Sequence, residues 1–396
     1  MERHVKFGNM DKSESRLAGI SDAFSEMLME NLVANNDNDD NIAVSPSRLQ
    51  AVLALLANWS SPDMQHKIVD VACCGRIGIE DANMLFDRKN FSIAACCGLN
   101  GEVDENSPVI ELNTILWLQE QLQLKPGHIA DMREVYGVEY ERVDFTDSDT
   151  QNVIDSKINE ASHGLIPGLG IDIDPKTLAL LTDILYFKAQ WETPFKEINT
   201  DDLPFYGAKE TVEVPTMCME ERLPYKETDS YEMVELEYKC ESYPEKSYVM
   251  RVFLPKRCVP INELLQAIAA DDGKQASIEH VCLYLPRFSV ESNIIMTDVL
   301  KQIGLEDIFK STDILPKLAD DLQISDIAQR VKIIVNEKET EAAALTSVLD
   351  VGCALLEDYV DDEPIVVTVD RPFLFEIVEE TSGMVLFTGI INDIEE

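Results

Sequence analysis

Basic residues are scarce in this chain: 33 Lys and Arg stand against 74 Asp and Glu among 396 residues, giving a formal charge of −41. Binding to a phosphate backbone or an anionic bilayer rests on clustered cations, so nucleic acid and membrane surfaces are excluded as partners. A strongly acidic surface instead confers solubility and draws in basic partners. No apolar run is long enough to span a bilayer, and Met1-Glu-Arg-His-Val-Lys-Phe7 lacks the apolar core of a secretory signal. The nine cysteines are odd in number and include the adjacent pairs Cys73-Cys74 and Cys96-Cys97, a pattern of reduced thiols and not of a disulfide framework. Together these absences predict a cytoplasmic protein, or one released without a classical signal peptide and able to act outside the cell. Cys-x-x-Cys spacing is missing too, so no metal and no cofactor is expected.

The chain is equally short of catalytic arrangements. None of the five histidines (His4, His66, His128, His163, His280) sits in a local motif that would pair it with a nucleophile. Gly168-Leu-Gly170 is a turn signal without the rest of a nucleotide fingerprint, and Asn58-Trp-Ser60 is a glycosylation sequon inside a predicted helix. An enzyme is therefore not expected.

What is present fits one large domain over residues 1–396. Hydrophobic residues make up 45% and charged residues 27%, ordinary proportions for a folded chain. No Gly/Ser- or Pro-rich linker and no repeat divides it. Leu17, Ile20, Phe24, Met27 and Leu28 recur at helical spacing until the polar run Asn35–Asp40. Ser45-Pro46 reads as an N-cap and first-turn proline opening a second helix, with Leu49, Val52, Leu53 and Leu56 on its apolar side. Strand-like runs such as Ile184–Phe187, Val252–Leu254 and Cys282–Leu285 follow; Asn293–Ile303 reads as one more helix stopped by Gly304. The tail returns to β-type sequence. Helices early and strands late predict an α+β fold.

The most informative stretch runs from Val335 to Val348, where an apolar strand passes into small residues: Glu337-Lys-Glu339-Thr340-Glu341-Ala342-Ala343-Ala344-Leu-Thr346. Alternate side chains of a strand face opposite sides. Thr340, Ala342, Ala344, Thr346 and Val348 would then form one small, uncharged face able to slide beneath helices covering a sheet, while Glu341, Ala343, Leu345 and Ser347 form the other. This stretch resembles the hinge of the serpin family. Asn41–Pro46, Ile184–Phe195 with Trp191, Leu285–Phe288 with Glu291, Leu300–Phe309 and Asp370–Gly389 resemble the family's other motifs in order, over nearly the whole chain.

The resemblance implies a serpin fold of about three β-sheets packed with eight or nine helices, a monomer, and an exposed reactive-centre loop at about 338–363. It implies a suicide-substrate inhibitor of serine endopeptidases, which traps the acyl-enzyme by inserting the cleaved loop into its main sheet. At about 3.3 Å per residue, roughly sixteen inserted residues span on the order of 50 Å. Counting sixteen residues on from Glu337, as the family does, sets the reactive bond at Cys353-Ala354, with Gly352-Cys353 one residue away and Leu355, Leu356 and Tyr359 as alternative specificity residues. A small apolar cysteine before the bond implies an elastase-like target, and a basic one would be steered by charge. No Lys or Arg lies between Lys338 and Arg371, which argues against trypsin-like targets. Inhibition of cysteine proteases, or a non-inhibitory role as carrier or chaperone, are the alternatives.

Departures from the family pattern are equally specific. Glu339 replaces a hinge glycine and is expected to slow the first step of insertion; Asp350 falls on the inward parity. In the shutter beneath the inserting strand Ser45 is kept, but Arg48, Asp183 and Gln329 stand where the family has Ser, Asn and His. A buried Arg invites a carboxylate, so an Arg48–Asp183 pair with Gln329 beside it is expected. The region Ser61–Asn90 lacks a Lys/Arg cluster, so heparin activation is not expected.

Overall fold

The structure is a computed structural model and describes residues 12–87, 108–125, 129–240, 247–271, 276–310, 314–340 and 363–395. The first half of the chain is dominated by helices: α1 (Lys12–Ala34), α2 (Pro46–Trp59), α3 (Pro62–Ala72), α4 (Ile79–Leu85), α5 (Ile129–Tyr136) and α6 (Thr150–Ala161). Three strands interleave with them, β1 (Ile42–Val44), β2 (Val109–Gln119) and β3 (Glu139–Val143). The second half is mostly strand: β4 (Ala179–Gln190), β5 (Asp201–Tyr206), β6 (Thr211–Glu227), β7 (Tyr231–Glu237), β8 (Tyr248–Pro255), β9 (Ser277–Pro286), β10 (Phe288–Ile295), β11 (Asp326–Val335), β12 (Glu339–Thr340), β13 (Ile365–Thr368), β14 (Phe373–Glu379) and β15 (Met384–Ile391). Short helices α7 (Ile261–Ala269), α8 (Met296–Leu300) and α9 (Asp307–Lys310) fall between them. The fold is α+β, with nine α-helices among the described residues.

Hydrogen bonding gathers the strands into two sheets. The first runs β10-β11-β4-β2-β3, with β12 entering between β11 and β4; the second runs β1-β15-β14-β8-β7-β6-β9-β13, with β5 against β6. Two of the expected three sheets are joined because the 17-residue β6 bonds to β5 and β9 over most of its length and to β7 at its far end. One hydrophobic core fills the space beneath the first sheet, where α2 is buried on almost every side. A second, smaller cluster above it packs Ile154 and Ile158 of α6 on Ile115, Trp117, Leu180, Ile184 and Ala328 of β2, β4 and β11. The first sheet is therefore covered on both faces.

Two local expectations change. Ser45 is the N-cap of α2 but makes no side-chain cap bond; its hydroxyl faces that of Ser47 at 3.5 Å. The helix expected from Asn293 begins at Met296, because Asn293, Ile294 and Ile295 are held in the β10–β11 ladder opposite Arg330, Gln329 and Ala328. The regular helix ends at Leu300, and Gly304, expected to stop it, sits at φ 97° inside the wider turn Lys301–Leu305 that follows, a conformation that costs a residue with a Cβ dearly.

Candidate functional site: the opening of the first sheet

The central pair of the first sheet, β4 and β11, is parallel and bonded directly only from Leu180↔Asp326 to Leu185↔Val331. Further along, the neighbour of β4 is β12: Glu339 pairs with Gln190 and Thr340 with Ala189, both antiparallel, while Thr340 also pairs with Val335 of β11. The chain thus leaves β11, turns over Asn336–Lys338 and re-enters the same sheet between its two central strands.

That turn is tied down at three points. The Trp191 amide donates to the Lys338 carbonyl (3.0 Å), its indole N–H donates to the Asn336 carbonyl (2.9 Å), and the Phe195 amide donates to the Glu337 carbonyl (2.8 Å). The buried Glu337 carboxylate accepts from Arg287 Nε at 2.8 and 3.0 Å and from the Thr200 hydroxyl at 2.6 Å. Burial pushes this carboxyl up, but the bonds from Arg287 and Thr200 outweigh it and hold it below the usual glutamate value. Trp191 stacks on Tyr238 with centroids 4.6 Å apart and planes at 12°, and the Tyr238 hydroxyl meets Thr340 Oγ1 at 2.9 Å. Thr340 is fully buried, on the inward face that its parity gave it.

Under the closed part of the β4–β11 ladder lies a buried polar cluster. Arg48 of α2 pairs with Asp183 of β4 at 3.1 Å, both almost fully buried. Thr114 of β2 donates to the same Asp183 oxygen at 2.7 Å and accepts from Arg48. Gln329 of β11 donates to the other Asp183 oxygen at 3.4 Å and to the Ser45 carbonyl at 3.2 Å, and its own oxygen accepts from the Ser45 amide at 2.7 Å. The cluster therefore bridges α2, β2, β4 and β11, the elements that must part or shift if β12 lengthens. Buried charge in this setting survives only because it is paired and hydrogen-bonded.

The structure thus brings together Ser45, Arg48, Asp183 and Gln329 in one cluster, and Trp191, Glu337 and Thr340 in another. Glu339 lies in β12. Glu341, Ala342, Ala343, Ala344, Thr346, Asp350, Cys353 and Ala354 lie outside the described residues. Sequence reading passed over Thr114, Thr200 and Tyr238, and it gave Arg287 no role. Their functions depend on register across strands far apart in the chain, and only the Arg287 motif carried a local signal. Among the described residues no group of three His, Cys, Asp or Glu side chains is placed to hold a metal, and no helix is long and apolar enough to cross a membrane.

An α+β fold whose own chain re-enters its central sheet defines a small class of proteins. Residues 20–394 match the model of the serpin (serine protease inhibitor) family, and the chain belongs to it. It is similar to Iripin-2 of Ixodes ricinus, 30% identical over 69% of this chain and 70% of that one. It is also similar to serine proteinase inhibitor 2 of variola virus, 29% identical over 90% and 96% of the two chains. Among solved structures it resembles Serpin48 of the insect Tenebrio molitor, with a TM-score of 0.80 and 24% identity over 98% of this chain and all of that one.

Proposed function

We propose that this serpin is a suicide-substrate inhibitor of serine endopeptidases of elastase-like specificity, cut at Cys353-Ala354. The observation that carries the reading is the two-residue β12, which already occupies the first positions of a new strand between β4 and β11. Extending it exchanges one parallel ladder for two antiparallel ones, and antiparallel pairing is the slightly stronger per residue. Each added ladder bond is worth roughly 0.5–1.5 kcal/mol net, so a dozen or more amply drive the step. Small inward residues at Ala342, Ala344 and Thr346 let the strand pass beneath α6. A protease joined through an acyl bond to Cys353 travels with it. The net charge of −41 favours encounter with a basic enzyme.

The test is incubation with a panel of serine proteases, followed by denaturing electrophoresis. A basic elastase-type enzyme should give a covalent band resistant to denaturant. Cleavage of the loop with no such band would mark a non-inhibitory serpin, and a band only with cysteine proteases would redirect the target class.

A further inference from the structure

At the C-terminal end of α6 the Gly164 amide donates back to the Asn159 carbonyl (2.8 Å) and the His163 amide to the Glu160 carbonyl (3.1 Å). This pair of bonds sets the residue after the C-cap Ser162 in the left-handed region, where glycine is the usual choice. His163 stands there instead, at φ 53°. A side chain kept on so disfavoured a backbone calls for a compensating contact, and His163 has two. Its ring lies against Tyr186 of β4 with centroids 4.6 Å apart, and its Nε2 is 2.9 Å from a carboxylate oxygen of Glu111 on β2. Glu111 and Tyr186 are direct partners across the β2–β4 ladder, so one histidine bridges both strands. Asn113 of β2 donates to the Ala161 carbonyl at 3.2 Å and seats the same helix end.

We propose that His163 is a proton-operated latch holding the end of α6 on β2 and β4. Its contact with Glu111 is an ion pair only while the imidazole is protonated, and a positive charge there also faces the carbonyl end of α6. Histidine is the side chain that exchanges its proton between about pH 5 and about pH 8. On losing it, His163 keeps its contact with Tyr186 and a neutral hydrogen bond, but both electrostatic contributions go. The latch is tight in mild acid and slack in mild base. The other charged or titratable residues where these elements meet are Tyr186 and Lys188 of β4, the latter diagonal to Glu111 on the same face, and Glu160 of α6 itself; none occurs from Gly164 to Ile171, and none is a second histidine.

Its position gives the latch a consequence, which rests on the function proposed above. β12 pairs with β4 at Gln190 and Ala189, and a strand lengthening from there runs next along Lys188, Phe187 and Tyr186. It arrives at the residue against which His163 rests. Insertion beneath α6 is therefore faster when the latch is slack than when it is tight.

The test is hydrogen exchange of the native chain at about pH 5.5 and about pH 8, on either side of histidine titration, read by mass spectrometry on the peptide covering Ser162–Ile166 and corrected for the intrinsic pH dependence of exchange. Protection at the lower pH should exceed that at the higher by about two- to fivefold, the size expected of a half-exposed pair. In His163→Gln and in Glu111→Gln the difference should vanish. Asp22 and Glu376, between α1 and the second sheet, are untouched by either substitution, so any effect of theirs on exchange would persist in the variants. Equal protection at both pH values in the native chain, or a difference that survives either substitution, overturns the latch. The link to insertion is read separately, near the acid end at about pH 6, with a protease that forms the covalent complex. The trapped share of cut inhibitor should rise in Glu111→Gln, and an unchanged share overturns that link. Absence of covalent complex from native and variant chains alike would refute the proposed function, while the exchange result still decides the latch.

Discussion

Thr340 and Tyr238 are joined by a hydrogen bond of 2.9 Å across the opening of the first sheet, and Tyr238 is itself stacked flat on Trp191. The inserted end of β12 is thus held by its backbone partners on two strands and by one aromatic pair beneath it. An arginine at position 340 would have to bury its charge on those rings with no carboxylate given to it. Thr340→Arg is predicted to expel β12 and convert the protein from inhibitor to substrate. Quantitative electrophoresis should then show cleaved loop without covalent complex; undiminished complex would show that insertion does not begin at Thr340.

Tyr238→Phe removes only the hydroxyl and leaves the stack. Leaving the buried Thr340 hydroxyl without this partner should cost about 1–3 kcal/mol. Denaturant unfolding measures it. A change within roughly 0.5 kcal/mol of zero would mean the bond is replaced locally.

The buried position of Thr340 at the start of β12 was legible from strand parity after β11, whereas residues 341–346 of the expected hinge lie outside the described residues. The Arg48–Asp183 pair was legible because departures at 48, 183 and 329 made chemical sense only together. Thr114 and Tyr238 were not, since a Thr and a Tyr in strand-like sequence look the same whether they meet solvent, core or a partner 69 or 102 residues away. The start of α8 was misread for a related reason. Asn293–Ile295 suit a helix locally, and only pairing with β11 makes them strand.

The carboxylates between α1 and the second sheet predict a pH effect. Burial pushes Glu376 up to about 7 and Asp22 up to about 6, with Arg251 partly opposing both. The folded protein holds these protons more tightly than the unfolded chain, so the stability these two groups contribute is fully present below their unfolded values and is lost as pH rises through about 6 for Asp22 and about 7 for Glu376. Glu376→Gln should therefore raise the melting temperature at pH 8, with the gain shrinking toward pH 5. An equal gain at both would remove titration of Glu376 as the cause.

The reactive bond is tested by the C-terminal peptide released on cleavage by the target enzyme. Mass spectrometry should find it beginning at Ala354 or within a few residues. A peptide starting before Val348 or after Asp361 would refute the proposed loop assignment, while the family membership of the chain would stand.

The last prediction concerns the cluster under the β4–β11 ladder. Arg48 gives Asp183 its only cation at bonding distance among the described residues, and both are about 97% shielded or more. Removing one partner of such a pair typically costs about 3–5 kcal/mol, because the other charge is left buried and uncompensated. Arg48→Ser should therefore lower stability by that order, and with β4 and β11 loosened it should promote premature loop insertion or polymers, visible as a ladder on native gels. Adding Asp183→Asn and Gln329→His removes the stranded charge and should recover much of the loss. Thr114 contacts both Arg48 and Asp183, so the two positions are coupled through it as well as directly. A double-mutant cycle between 48 and 183 separates the terms. Coupling of several kcal/mol is expected; coupling within roughly 0.5 kcal/mol of zero would mean the pair contributes geometry but no net interaction, and the ladder owes its closure to Gln329 and Ser45 instead.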